Sequence, residues 1–250
     1  MGEHRFHTPQ PVELEVKVPT GDVEVTTIDG EESLVVVEGD ERMVDQTIVE
    51  LRGNRLVVEL RGKKPFGITI EIGGWVWGSE KLRIRAHVPH ASAASLATAS
   101  ADMHLAGRFS TLETKTASGD LALRGEVERD AEVKTVSGDA RIERVHGDLR
   151  ANSVSGDLHV DEVGGAVAAK TVSGDVRIGT ARGREATLQS VSGDIQLGVA
   201  SGTNLDVDAN SVSGDLDSEI PLGSDVGLEP GPTLVVRGKT VSGDFRVVRG

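Results

Sequence analysis

The 250-residue chain has no cysteine and no tyrosine, and aromatic residues make up only 2% of it. Without thiols there can be no disulfide and no thiolate metal site. Two tryptophans and four phenylalanines are too few for an ordinary globular core, which leans on large rings. Basic residues are outnumbered and unclustered, leaving a formal net charge of −13, which argues against nucleic acid or an anionic membrane as partner. No apolar run approaches the roughly 18 residues of a membrane-spanning helix. The opening residues Met1-Gly2-Glu3-His4-Arg5-Phe6-His7 lack the apolar run of a signal peptide. As written, the chain is expected in the cytoplasm; removal of a leader would place it at the envelope.

What is abundant is glycine, 31 residues of it, and its spacing carries the argument. Ser-Gly-Asp recurs with its glycine at Gly119, Gly138, Gly156, Gly174, Gly193, Gly214 and Gly243, in steps of 19, 18, 18, 19, 21 and 29 residues. A decayed copy, Ser100-Ala101-Asp102, precedes the first. Gly147, Gly165 and Gly183 fall midway and define a nine-residue half-unit. Counting from each glycine, apolar residues recur at places three (Ala140, Leu149, Leu158), five (Ile142, Ala151, Val160) and eight (Val145, Val154, Val163). Places three and five alternate as in a strand; the odd step to place eight predicts a corner where the pleat breaks.

A period of nine with glycine in every unit fits neither a helix nor a coiled coil. It predicts a right-handed β-solenoid with about 18 residues per coil. One such coil cannot offset its own ordering entropy, so stacking must complete each coil's hydrogen bonds and cover its edges. On this reading Val136, Val154 and Val172 lie one above the next in an interior column.

Residues 1–90 lack the repeat and are expected to form strands and hairpins that cap a regular solenoid over 91–250, in one continuous unit. Leu14–Val18, Val23–Val25, Leu34–Val37, Leu56–Leu60 and Ile68–Ile72 alternate as strands. Asp29-Gly30 and Arg52-Gly53-Asn54 read as hairpin turns. Gly21-Asp22-Val23-Glu24-Val25 already looks like the solenoid's turn and strand. Residues 218–236, with Pro221, Pro230 and Pro232, read as an interrupting loop before a final copy from Lys239 to Val248.

The strongest surface motif is Thr/Ser-x-Ser-Gly-Asp, as in Thr135-Val136-Ser137-Gly138-Asp139. If the middle valine points inward, both hydroxyls point out. Thr135, Ser137, Asp139, Ser153, Ser155, Asp157, Thr171, Ser173 and Asp175 would then form ladders of hydroxyls beside a ladder of carboxylates. Structurally, Ser and Asp would hydrogen-bond the turn backbone and Gly would supply positive φ. Functionally, so regular a face suits a repetitive ligand such as a glycan, an ordered lattice or another solenoid. Adjacent carboxylates about 4.8 Å apart repel by roughly 0.9 kcal/mol in water-like surroundings, so moderate salt is expected to raise the melting temperature. The Gly-Gly-x-Gly-x-Asp spacing of calcium β-rolls is missing, and neither a metal nor another cofactor is expected.

Three other features carry less. Arg237-Gly238-Lys239-Thr240 ends like a phosphate loop but lacks its first glycine and a following helix. The pair His87 and His90 is too small for a metal site. Trp75 and Trp77 share one glycine-bounded stretch and are either a lid over the solenoid's end or a contact for a partner or sugar ring.

The repeated Val-Ser-Gly-Asp-Leu pattern, following Gly-Asp-Val-Glu-Val, resembles a bacterial family of adhesin-like β-strand-repeat proteins, some called LiaG-like. The resemblance implies a β-helix, an association with the envelope or adhesion, and no catalytic residues. Together these readings favour a non-catalytic scaffold or binding module. A protein partner, self-association or a repetitive glycan are its expected contacts. A glycan-cutting β-helix enzyme, which would break the repeat with unique groove residues, is the competing class, and a role in envelope-stress signalling a third.

Overall fold

The chain runs as β-strand coils around a narrow apolar column. The computed structural model describes residues 1–61, 82–220 and 231–250, in which there are 22 strands and one short helix, Glu41–Gln46. Each regular coil contributes a strand of four or five residues to one face of the rod, such as Ala131–Lys134 and Leu149–Asn152. It then contributes a longer strand to the other, such as Ala140–Val145 and Leu158–Val163. Equivalent strands pair in parallel with a fixed offset: Ala140 lies beside Leu158 and Leu158 beside Val176. This is the β-solenoid that the period predicts.

The column is made of short aliphatic side chains. Ala131, Val133, Ala140, Ile142 and Val145 of one coil are all buried, as are Leu149, Ala151, Leu158, Val160 and Val163 of the next. A void lined by Val133, Ala140, Ala151 and Leu158 amounts to about 10 Å³, at the limit for a single water. Small residues without rings fill a thin interior, which explains the scarcity of aromatics.

The two half-units are not equivalent, which corrects the nine-residue reading. After Gly138, places three, five and eight are buried (Ala140, Ile142, Val145). After Gly147, places three and five are buried (Leu149, Ala151), but Val154 at place eight is exposed. There the strand keeps strict alternation for one more step, so place seven (Ser153, and Thr171 in the next coil) turns inward. Val136, Val154 and Val172 do stack: the amide of Ser155 donates to Val136 O at 2.8 Å and that of Ser173 to Val154 O at 2.8 Å. They stack on the outside, not in the interior column expected of them.

The order of layers departs from the order of the chain at both ends. Strands Glu13–Val18 and Asp22–Ile28 do not start the rod. They lie between Arg55–Leu60 and Arg83–Pro89 on one side and Ser92–Thr98 and Asp102–Lys115 on the other, pairing in parallel with all four. Gly21-Asp22 thereby stands in the solenoid's own turn position, with Asp22 beside Asp102. Asp29-Gly30 is not a hairpin turn, because Arg83–Pro89 separates Asp22–Ile28 from Glu32–Glu38. Arg52-Gly53-Asn54 is one: Arg52 pairs with Arg55 and Gly53 has φ +63°. Among the described residues the rod ends here in antiparallel strands, Gly2–His7 on Glu32–Glu38 and Thr47–Arg52 on Arg55–Leu60. The Glu41–Gln46 helix, capped by Asp40 and carrying Met43 and Val44 against the core, sits beside them.

At the far end the last segment is again inserted. Thr233–Thr240 pairs with Glu185–Gln189 on one side and Asn204–Ser211 on the other. Phe245–Arg249 lies likewise between Ile195–Val199 and Leu216–Ser218. Part of the expected 218–236 loop is therefore strand, from Thr233 onward. Among the described residues the layer that ends the rod is 204–218, not the C-terminus. Ile68–Ile72, Trp75, Trp77, Pro221 and Pro230 lie outside the described residues.

Candidate functional site

The corner built by Thr/Ser-Val-Ser-Gly-Asp carries a separate role at each place. The first hydroxyl belongs to the fold. Thr135 Oγ1 accepts from Gly138 N at 2.9 Å and donates to Gly138 O at 3.0 Å. Ser153 does the same for Gly156 at 2.9 and 2.7 Å, and Thr171 accepts from Gly174 N at 3.0 Å. Thr135 and Thr171 are buried and Ser153 partly so. This corrects the expectation that both hydroxyls face out. A turn bent over an apolar column needs an internal partner for its amide, and the inward hydroxyl provides it.

The valine that follows is turned outward. Val136, Val154, Val172, Val191, Val241 and Val212 are 51, 44, 45, 47, 40 and 79% exposed, in their order along the rod. Elsewhere among the described residues only Met1 and Leu216 are large exposed apolar side chains. The signal for this was in the sequence: Leu149, Ala151 and Ser153 alternate without a break, so Val154 had to fall on the other side.

Ser137, Ser155 and Ser173 are exposed. Ser137 Oγ donates to Ala117 O and Ser155 Oγ to Val136 O, both at 3.2 Å. The protons of Ser137 and Ser155 are thus engaged with the neighbouring coil, and what these two leave to the outside is acceptor capacity. The glycines do not have positive φ, contrary to expectation. They are needed because a Cβ on Gly138, Gly156 or Gly174 would stand 2.0–2.1 Å from the carbonyl oxygen of the preceding turn glycine. The place demands glycine by close approach, not by torsion.

Asp139, Asp157 and Asp175 are exposed and tie coil to coil. Asp157 N donates to Asp139 Oδ1, Asp175 N to Asp157 Oδ1, and Asp194 N to Asp175 Oδ1, at 2.9, 2.8 and 2.8 Å. The row runs from Asp102 through Asp244 to Asp215. A hydrogen bond to a charged acceptor contributes about 1.5–3 kcal/mol. That outweighs the roughly 0.9 kcal/mol repulsion between successive carboxylates, so the row is stable without a bound cation. Among the described residues no group of three or more acidic or histidine side chains is placed to hold a metal.

The opposite corner carries an ion-pair ladder. Glu162 bridges Arg182 at 2.6 Å and Arg144 at 3.3 Å, and Glu126 meets His146 at 2.8 Å. The Arg182 hydrogen bond foremost holds the Glu162 carboxyl below its ordinary range; burial opposes it, and the Arg144 hydrogen bond adds to the lowering. His90 is engaged by Thr27 Oγ1 at 2.8 Å, and Arg237-Gly238-Lys239-Thr240 is plain strand. A surface depression of about 160 Å³ between Arg177, Gln196 and Arg246 and the aspartate row is below the ~300 Å³ of a small-molecule pocket. The Thr/Ser-Val-Ser-Gly-Asp corner thus carries three parallel rows, of valine, serine and aspartate, on the outside of the rod.

The sequence matches the Toastrack DUF4097 family over residues 12–248. The chain belongs to that family. No curated protein matches it. Among solved structures, the Toastrack chain is similar to one described as a "putative lipid binding protein" from Parabacteroides distasonis, at 18% identity and a TM-score of 0.63, covering 99% of this chain and 96% of that one. It also matches a "putative adhesin" from Parabacteroides merdae at 14% identity and a TM-score of 0.46, covering 99% and 96%. Another from Bacteroides fragilis matches at 14% identity and 0.40, covering 98% and 96%. The first of these supports the fold. None is named as an enzyme, and no helix among the described residues is long and apolar enough to cross a membrane.

Proposed function

We propose that this Toastrack protein is a non-catalytic binding scaffold of the cell envelope. Its Val-Ser-Asp corner lies along a linear, repeating ligand, for which a glycan is the best fit. The observation that carries this is the exposed valine row, six residues long and one per coil, beside a serine row whose free capacity is to accept. Sugars offer C–H faces to the valines and hydroxyl donors to the serine and aspartate oxygens. The resemblance of the repeat to adhesin-like proteins accords with such a role at a surface.

Side-by-side pairing of two rods through this corner is less favoured. Half-exposed, each valine leaves about 1 kcal/mol of burial unused, roughly 6 kcal/mol for the row, equivalent to about 240 Å². Stable protein pairs bury about 800 Å² on each partner. A narrow ligand matches the row better than a second rod.

Soluble linear polysaccharides titrated into the protein by calorimetry test the proposal, with Val154→Glu/Val172→Glu as the comparison. Binding by the native chain and its loss in a variant with an unchanged melting temperature is expected. Equal binding by both would refute the corner as the site, and new reducing ends during the titration would refute a non-catalytic role.

A further inference from the structure

The two ends of the rod differ in kind. The end near the N-terminus finishes in antiparallel strands and a helix. At the other end, Asn204–Ser211 and Leu216–Ser218 pair on one side only among the described residues. Asn204 N donates inward to Pro232 O at 2.8 Å. By alternation the amides of Leu205, Val207 and Ala209 therefore face the outer edge. The core is open there too: Leu216 is 51% exposed, while Phe245, Ile195 and Val176 at the same place in the layers below are buried.

Charge says what fits. Residues 201–220 hold Asp206, Asp208, Asp215, Asp217 and Glu219 and no basic residue. The layer beneath holds Arg237, Lys239, Arg246 and Arg249 against Asp244 alone. The two layers alternate in sign: Asp208 stands beside Arg237, and Arg246 pairs with Asp217 at 3.3 Å. Continuing the alternation calls for a basic strand outside the acidic one. A second copy offers none. Its matching end would set Asp206 and Asp208 against like charges, and the edge strands of its other end, Gly2–His7 and Thr47–Arg52, are not basic, because Arg5 is paired with Glu3 and Arg52 with Glu50. The adjacent sequence 221–230 carries Asp225 and Glu229 and no basic residue.

We propose that the outer edge of Asn204–Ser211 and Leu216–Ser218 receives, by strand addition, an extended segment of a different protein in which apolar side chains alternate with lysine or arginine. Backbone hydrogen bonds and the open core end supply affinity, and the acidic row selects the partner. The site is independent of the valine corner.

The test uses the full chain and a fluorescent nine-residue peptide alternating valine and lysine, followed by anisotropy. The matching valine-glutamate peptide and oligolysine serve as comparisons. Binding of the valine-lysine peptide alone is expected. Ala209→Pro removes one outward amide without touching the inner ladder and should weaken it at least tenfold. Asp206→Lys/Asp208→Lys should exchange the preference for the valine-glutamate peptide, and this variant decides the matter if the proline variant does not fold. Failure of the native chain to bind, oligolysine binding as tightly, or an unchanged preference after the charge exchange would each overturn the proposal.

Discussion

Replacing Gly156 with alanine isolates the reason the turn glycine is needed. Its backbone is not in the left-handed region, so torsional strain contributes nothing. The new Cβ would instead lie 2.0 Å from Gly138 O, whereas ordinary contact begins near 3.4 Å. Relief requires the two turns to part by roughly 1 Å or more. The bonds that straddle the site, Ser155 N to Val136 O at 2.8 Å and Asp157 N to Asp139 Oδ1 at 2.9 Å, would then exceed hydrogen-bonding range. One neutral bond at about 1 kcal/mol and one charge-assisted bond at about 1.5–3 kcal/mol put the loss at roughly 2.5–4 kcal/mol. Gly53→Ala is the control, since it has φ +63° but open space around it. Torsion alone should cost it about 1–2 kcal/mol. Urea unfolding of both variants, compared at equal slope, measures the difference. A Gly156→Ala variant no less stable than Gly53→Ala would refute the close-approach argument.

Thr135→Val leaves the buried Gly138 amide without its acceptor and should cost about 1–3 kcal/mol. Val136→Thr, on the exposed row, should stay within roughly 0.5 kcal/mol; thermal melts that rank them the other way would contradict the inward hydroxyl. Asp157→Ala should destabilise by about 1.5–3 kcal/mol through the lost Asp175 cap, while Asp157→Asn, which keeps an acceptor oxygen, should cost clearly less in the same urea assay. Because the folded-state Glu162 carboxyl titrates below its unfolded value, its contribution is present above the ordinary carboxylate range and is lost as pH falls through the folded value. Glu162→Gln should therefore melt below the native protein at about pH 7 and converge with it in acid; a constant gap would sink that assignment. With the aspartates of the row from Asp102 to Asp244 each capped by a neighbouring amide, raising salt should lift the melting temperature by only a few degrees through screening, and a large rise would mean that the caps do not hold.

The 18-residue coil, the stacked turns and the aspartate row were legible because each leaves a residue type at a fixed interval. The orientation of Val154 was misread for a physical reason. In a pleated strand one residue decides the face, and counting from Gly147 treated both half-units as turning at the same point. The uninterrupted alternation of Leu149, Ala151 and Ser153 held the correct answer. The function of the glycine was misread because flexibility and close approach leave the same letter in a sequence. The order of layers was not legible. Gly193 to Gly214 to Gly243 gives spacing along the chain, but a parallel edge accepts any strand of suitable pattern, and nothing in 233–249 states that it lies beneath 204–218. Of the proposed contact surface, the serine and aspartate rows were recognised and the valine row between the hydroxyls was assigned to the wrong side.

The insertion of 233–249 between two earlier segments sets the schedule on which the molecule can be finished. Asn204–Ser211 leaves the ribosome before the strand it rests upon in the finished rod has been made, so a rod growing during synthesis reaches Ile195–Val199 without its native next rung. Only when the final residues emerge can the missing rung enter, and the segment translated earlier then settles over it. A polypeptide ending between residues 220 and 232 would thus lack one rung and leave a second without its native support.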